Sequence, residues 1–277
     1  MKKIAVLMTC FNRVKTTLAC LERLYAQKLP VDYTLDVWLV DDASPDETGK
    51  KVKATFPSVK VLQGNGHLFW AGGMRLAWKN AVAAFDYDFY LWLNDDVLLV
   101  DGALGRLMSD YDSLPKESIV CGALVAPELG EIFYGAPEIR RQKNIDRITE
   151  LTHGMHGNVV MIPRCVYLRI GGMAEGLVHQ HGDFEYGYRA RKNGIRVYAA
   201  GAVIGTCGLN YGLTKKRLMQ LSLVQRYRAL VSPKGIGIMD YCRMKLLTDR
   251  GVLSTIGSLL KGCLAATFPK IFYEDRI

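Results

Sequence analysis

Through the first 112 residues, apolar runs of strand length alternate with stretches of helical period. Ile4–Met8, Leu35–Val40, Val59–Leu62 and Phe89–Leu93 are short and almost wholly apolar, the pattern of strands covered on both faces. Between them, Thr16–Gln27 sets Leu18, Leu21, Leu24 and Tyr25 on one helical face. A glycine-rich loop, Gly64–Gly73, leads into a helix whose stripe is Met74, Ala77, Trp78, Ala81 and Phe85. Ser44-Pro45-Asp46-Glu47 reads as a capping box with proline at the first helical position, which predicts a helix ending near Phe56. Strand then helix, repeated, predicts an α/β protein with a mainly parallel sheet, flanked by helices, that binds ligands beyond the carboxyl ends of its strands.

The alternation weakens after residue 112. Ile119–Val125, Glu131–Tyr134, Val159–Ile162 and Gly194–Tyr198 predict strands of a mixed second half, and the charged Glu138–Arg147 predicts an exposed loop or lid. A helix is expected around 183–191, and beyond Leu213 the chain is helical and basic. Ser254–Phe272 is amphipathic and interrupted by Lys261 and Lys270, which suits either an interfacial helix or one packed on the core. The expected divisions are 1–112, 113–212 and a helical segment 213–277.

On that reading four polar clusters, Thr9–Arg13, Asp41-Asp42, Asn65–Gly73 and Asn94–Asp96, all fall at strand exits and gather along one edge of the sheet. Asn94-Asp95-Asp96 stands between the apolar runs Phe89–Leu93 and Val97–Val100. Two adjacent carboxylates between hydrophobic walls repel each other. They are tolerated where Mg²⁺ or Mn²⁺ lies between them and a phosphate, since hard oxygen ligands suit those ions. A solvated turn capping a helix near Asp101 accounts for the same residues.

Charge adds a preference for anionic partners, because 36 Lys and Arg face 27 Asp and Glu for a net charge of +9. Basic patches interleaved with aromatics are not evident in the first half, so nucleic acid is not an expected partner. Seven scattered cysteines without CxxC pairs fit a reducing cytoplasm. The N-terminal MKKIAVLMTCF is too short in its apolar part, and lacks the cleavage site, for a signal peptide. No window reaches the apolar length that crosses a bilayer.

Five pieces in order, VLMTCFNR, LVDDASPDET, GNGHLFWAGGMRLAW, LWLNDDV and GDFEYGYRARKNGIRVY, resemble the inverting glycosyltransferases of family 2 over about residues 1–210. The resemblance implies the GT-A fold: a Rossmann-like sheet, a mixed acceptor-side half and a helical C-terminal segment. It implies that Asp96 binds a divalent Mn²⁺ or Mg²⁺ on the donor's diphosphate, with Asn94 and Asp95 beside it. Thr9, Phe11, Asn12 and Arg13 fall in the first donor loop, where a ring can stack on a base. Asp41 and Asp42 match an acidic pair that contacts base and ribose. Asn65, Trp70, Gly72, Gly73 and Arg75 match the donor-side loop and helix. Asp183 matches the catalytic base, with Glu185 as the fallback because the family's Glu-Asp-x-Asp here reads Gly182-Asp183-Phe184-Glu185. Around Gly201–Cys207, where many relatives carry a His, there is none. His153, His156, His179 and His181 are the candidates to replace it.

The implied reaction is a single displacement at the anomeric carbon of a nucleotide-diphosphate sugar by a saccharide or lipid-linked saccharide acceptor. The LFWAGG and LWLNDDV pieces resemble the bacterial branch that transfers rhamnose, which implies a dTDP-sugar, with a UDP-sugar as the alternative. Peripheral contact with an anionic membrane through the basic C-terminal third is expected, and a homodimer stays open. A nucleotidyltransferase and a non-catalytic nucleotide-sugar-binding protein are the rival readings. The first lacks its Gly-rich, Lys-bearing phosphate signature; the second would not need Asp183.

Overall fold

Successive residues of the first strand enter opposite cores. Along β1 (Lys2–Cys10), Ile4, Val6, Met8 and Cys10 join one buried cluster while Ala5 and Leu7 join the other, as a strand covered on both faces must. The computed structural model describes residues 1–209 and 213–273. Helix α1 (Val14–Tyr25) lays Cys20, Leu21 and Leu24 on the first cluster. β2 (Tyr33–Asp41), α2 (Thr48–Thr55), β3 (Lys60–Gln63), α3 (Phe69–Ala84) and β4 (Phe89–Leu93) complete the alternation, with Met74, Ala77, Trp78 and Ala81 of α3 in the opposite core. These four strands run parallel in the order β3-β2-β1-β4, so Cys10, Asp41, Gln63 and Leu93 all end on one edge.

The second half is mixed, as expected. It comprises β5 (Val97–Leu99), α4 (Ala103–Asp112), β6 (Ser118–Ala126), β7 (Glu131–Tyr134), β8 (Thr149–Glu150), β9 (Val159–Pro163), α5 (Arg164–Ile170), α6 (Gly182–Lys192) and β10 (Arg196–Cys207). β9 lies antiparallel between β4 and β6, and β10 runs parallel to β6 and antiparallel to β5. Then follow α7 (Lys215–Met219), α8 (Leu223–Val231), α9 (Ile238–Leu247), α10 (Val252–Thr267) and α11 (Pro269–Phe272). Leu230, Ile238 and Ala266 form a small third core among α8, α9 and α10. Among the described residues no helix is long and apolar enough to cross a membrane, and all seven cysteines are free thiols.

Three local expectations need correction. The capping box does not form: α2 starts at Thr48, and Asp46 instead accepts the N–H groups of Val14 at 3.0 Å and Thr48 at 3.1 Å, tying this turn to the first loop. The glycine-rich loop is shorter than expected, since α3 begins at Phe69 and holds Gly72 and Gly73 in its opening turns. β10 runs on to Cys207, far beyond Tyr198. The segment 138–147 is a largely exposed loop, as expected, pinned by the buried Ile139 and Ile145 and by the Arg140 guanidinium 4.1 Å from the Phe133 ring.

Candidate functional site

A cavity of about 1000 Å³ opens beyond the carboxyl ends of β1 and β4. Arg13, Trp70, Asn94, Asp95 and Asp96 line it from the first half, and His156, Asn158, His179, His181 and Asp183 from the second. Lys234, Ile238, Tyr241, Lys261 and Ala265 roof it from the C-terminal helices. Asp96 and Asp183, 87 positions apart in the chain, therefore face one space.

The acid pair begins where β4 ends. Asp95 turns back under the sheet edge, buried, and accepts a hydrogen bond from Thr17 Oγ1 at 3.1 Å. Burial, more than any neighbour, pushes its carboxyl up to about 6, against the lowering pull of Arg13. Asp96 faces the cavity. One nitrogen of the Arg13 guanidinium donates to Asp96 Oδ2 at 2.8 Å and Asp95 Oδ1 at 3.2 Å, so a single cation spans the pair. Cys207 at the end of β10 donates its thiol to Asp96 Oδ1 at 3.6 Å, and burial beside Asp96 holds that thiol strongly protonated.

Asn94 ties the two halves together. Its side-chain oxygen accepts the Trp70 indole N–H at 2.7 Å, and its backbone N–H donates to the Asn158 carbonyl at 2.9 Å. The Trp70 ring lies so close to Gly157 that a Cβ there would stand 2.6 Å from it. That close approach lets the Gly157 N–H donate to Asp183 Oδ2 at 2.8 Å. Phe184 N–H donates to Asp183 Oδ1 at 2.9 Å, so both oxygens are oriented by backbone amides at the start of α6, each with lone pairs left over.

The sequence profile of the glycosyl transferase family 2 matches residues 5–170, more than half of the chain. The chain belongs to that family. No curated protein matches it in sequence. In fold it is similar to the mannosyltransferase PcManGT from Pyrobaculum calidifontis in complex with GDP-Man and Mn²⁺, at 15% identity and TM-score 0.56, covering 96% of this chain and 81% of that one. It is also similar to S. aureus TarS 1-349 in complex with UDP-GlcNAc, at 14% identity and TM-score 0.59, covering 96% and 79%. A third likeness is GalNAc-T7 with UDP, GalNAc and Mn²⁺, at 13% identity and TM-score 0.58, where 76% of this chain spans 45% of that one. At these identities the likeness is one of fold, and the fold is GT-A.

Several residues that the family resemblance assigns to the donor or, for Glu185, to catalysis have partners within this glycosyltransferase itself. Asp41 accepts the N–H groups of Ser44 at 3.0 Å and Gly49 at 2.9 Å, and Asp42 those of Gly66 at 2.8 Å and Phe69 at 2.9 Å. Both carboxylates are buried and hold loops together. Arg75 donates to the carbonyls of Ala174 at 2.9 Å and Leu177 at 2.7 Å. Glu185 is buried in a two-point ion pair with Arg189, at 2.7 and 3.0 Å, and is not among the cavity residues. Asn65 closes its own turn on His67 N–H at 2.9 Å. Gly73 is where α3 meets Thr9, whose side chain fills the space a Cβ would need. Asn12 donates its backbone N–H to Ser44 Oγ at 2.9 Å, and Phe11 lies under the ammonium of Lys234 at 4.2 Å.

Of the candidate histidines, His153 is exposed and paired with Glu138 at 3.2 Å. His156 and His179 reach the cavity, and burial lowers the pKa of both, with Lys234 adding to the effect at His179. His179 Nδ1 accepts the Trp70 backbone N–H at 3.4 Å, so its ring carries any proton on Nε2. The roof, Lys234 above all, was not legible as a site: Lys234 stands in the turn between α8 and α9, and its partners lie more than 50 residues away.

A divalent cation suits this site on one condition. Among the described residues no group of three or more His, Cys, Asp or Glu could hold a metal alone. Asp96, with Asp95 behind it, offers hard oxygen donors that already hold a cation, the Arg13 guanidinium. Such a site fits Mg²⁺ or Mn²⁺, which bind through one or two carboxylates and complete their shell with water and substrate phosphate. Arg13 must then give way.

Proposed function

We propose that this family 2 glycosyltransferase moves a sugar, with inversion, from a nucleotide-diphosphate donor to a saccharide or lipid-linked saccharide hydroxyl in bacterial surface polysaccharide synthesis. The observation that carries the reading is Asp96 and Asp183 on one cavity, the first facing a cation and the second oriented by two backbone amides. Asp183 takes the acceptor's proton as its oxygen attacks the anomeric carbon, an effect worth about 10²–10⁴ in rate. Asp96 holds the divalent ion, which when bound neutralises charge growing on the departing diphosphate. The GDP-Man, UDP-GlcNAc, UDP and Mn²⁺ in complex with similar structures support a nucleotide donor and a manganese-type ion. The LFWAGG and LWLNDDV pieces favour rhamnose carried on dTDP, with a UDP-sugar as the alternative.

In this reading residues 1–112 take the donor and 113–212 the acceptor, while 213–277 face an anionic membrane. That last segment holds twelve Lys and Arg against four Asp and Glu, which is +8 of the chain's +9. Leu253, Ile256, Leu260, Phe268 and Ile271 stand exposed on it. Apolar and cationic surface together fit acidic lipid, at about 1 kcal/mol per Lys or Arg near the headgroups.

A thermal-shift panel of nucleoside diphosphates, with and without Mn²⁺, tests the donor. The cognate nucleotide at a hundred times its Kd adds about 2.7 kcal/mol. Sugar transfer from that donor is the expected sequel, and a panel in which no nucleotide stabilises the protein would overturn the reading. Sedimentation with acidic but not neutral vesicles tests the membrane face.

A further inference from the structure

The segment Ala174–Gln180, which leads into Asp183, is held from two sides. On the donor side the Val178 carbonyl accepts the N–H groups of Ala71 at 3.0 Å and Gly72 at 3.3 Å, while Arg75 binds the Ala174 and Leu177 carbonyls. On the other side stands one residue of the C-terminal segment. Asp240, in the first turn of α9, is 3% exposed and accepts three consecutive backbone N–H groups: Val178 on Oδ1 at 3.1 Å, and His179 and Gln180 on Oδ2 at 2.7 and 2.9 Å.

Around this grip the contacts repeat the same link. The Gln180 side-chain amide donates to the Pro233 and Gly235 carbonyls at 2.9 and 3.1 Å, and Arg243 donates to the Gly176 carbonyl. Gly237, with φ +65°, precedes α9 just where a Cβ would stand 2.8 Å from the Gln180 amide. Three amides in a row converging on one carboxylate make an anion nest, here filled from within the chain. Such charge-assisted bonds are the strong kind, and their loss would leave three part-buried donors to find other partners.

We infer that Asp240 is a positioning residue for transfer: by clamping 178–180 from the C-terminal segment, it sets where His179 and Asp183 face the cavity. Two consequences follow from the geometry. His179 holds its ring on the Trp70 N–H only while its own backbone is fixed, and Asp183 stands three residues beyond the last clamped amide. The segment 213–277 is then part of the catalytic unit through α9, besides any membrane face it presents. Misplacing a catalytic group by about 1 Å costs about 10² in rate, so loosening the clamp acts on turnover. Donor affinity moves less than turnover, because the donor-side grip on the Val178 carbonyl by Ala71 and Gly72 does not pass through Asp240.

This inference rests on the proposed transfer reaction, and its test separates the two. Hydrogen exchange on the unmodified protein reads the clamp without any activity. The amides of Val178, His179 and Gln180 should exchange as slowly as those within α9, and exchange at the rate of an open loop would overturn the clamp. Asp240→Ala should free those three amides and lower kcat about 10²-fold with donor KM changed less than about 3-fold. Asp240→Asn, which keeps one accepting oxygen, should fall between. A folded Asp240→Ala with unaltered kcat would overturn the positioning role, and if that variant does not fold, Asp240→Asn with wild-type kcat and freed amides would do the same. Protected amides in a protein that transfers no sugar would instead remove the proposed reaction and leave the clamp standing.

Discussion

Two Asp-Asp pairs stand at the carboxyl ends of β2 and β4, the parallel strands on either side of β1, and they differ in what holds them. Asp41-Asp42 closes β2 and gives its oxygens to four backbone N–H groups, from Ser44, Gly49, Gly66 and Phe69. Asp95-Asp96 follows β4 and takes only side-chain donors in the bonds described above: the Arg13 guanidinium across both acids, Thr17 Oγ1 on Asp95 and the Cys207 thiol on Asp96. A backbone amide is a fixed partner, whereas a side chain with several rotatable bonds can leave and let another cation in. In the proposed reading the same dipeptide is scaffold at the end of β2 and chemistry at the end of β4, and the partner decides which.

Asp183 is the sharpest attempt to break that rule, because it is bound by two amides yet faces the cavity. If amide partners alone marked a structural acid, Asp183→Asn would cost stability and spare turnover. The expectation is the reverse: donor binding nearly intact and kcat lower by about 10²–10⁴. Glu185→Gln is the control. It breaks a buried ion pair and should destabilise by about 3 kcal/mol, with the folded fraction still transferring sugar. Steady-state kinetics beside urea unfolding reads both, and wild-type turnover in Asp183→Asn would move the base elsewhere.

The exchangeable pair comes next in size. Asp96→Asn keeps a shape and loses the charge that a divalent ion needs, so transfer should drop by about 10²–10³ and Mn²⁺ binding, followed calorimetrically with nucleotide present, should vanish. Stability should move by no more than about 1 kcal/mol, since the pair's Arg13 is partly open to solvent. A large loss of stability would put Asp96 with the scaffold pair.

Much of this contrast could be read before any coordinates, and part could not. β1, β2 and β4 announce themselves because both cores claim alternate residues, leaving continuous apolar runs. Parallel strands then carry their polar ends to one edge, which is why Arg13, Trp70, Asn94, Asp95 and Asp96 fall together. Helix starts were harder. Ser44–Glu47 has the letters of a capping box, but Asp46 finds a better use bridging to Val14, and α2 waits until Thr48. The backbone partners of Asp42 and Arg75 were hidden because an acid or an arginine looks alike whether its partner is a ligand or a backbone 24 to 102 residues distant. The roof at Lys234 and the grip of Asp240 share that cause.

Asp95 gives the comparison a pH axis. Its carboxyl, raised mainly by burial to about 6, keeps a proton over a range where the unfolded chain, near 3.8, has lost it. Between about pH 4 and 6 the native state binds more protons, so this group's contribution to stability falls as pH rises. The total is on the order of 2–3 kcal/mol. Asp95→Asn should remove that slope, seen as a wild-type minus variant difference in urea unfolding free energy that shrinks from pH 4 to pH 6. A difference that stays flat across the window would mean that Arg13 compensates the buried charge fully.

Asp42→Asn is the smallest expected effect and bears most directly on the distinction. Its carboxyl group accepts from Gly66 and Phe69 on separate oxygens. An amide can offer one oxygen only, so its NH₂ must confront one of those two N–H donors in a buried site. The cost is one unmade hydrogen bond and a donor facing a donor, about 1–2 kcal/mol. Because Phe69 opens α3 and Gly66 belongs to the loop before it, the loss should show as faster hydrogen exchange there, with kcat unchanged and donor KM raised less than about 3-fold. Loss of nucleotide binding without loss of stability would reverse the assignment: the first pair would then touch the donor, and partner type would no longer distinguish scaffold from site.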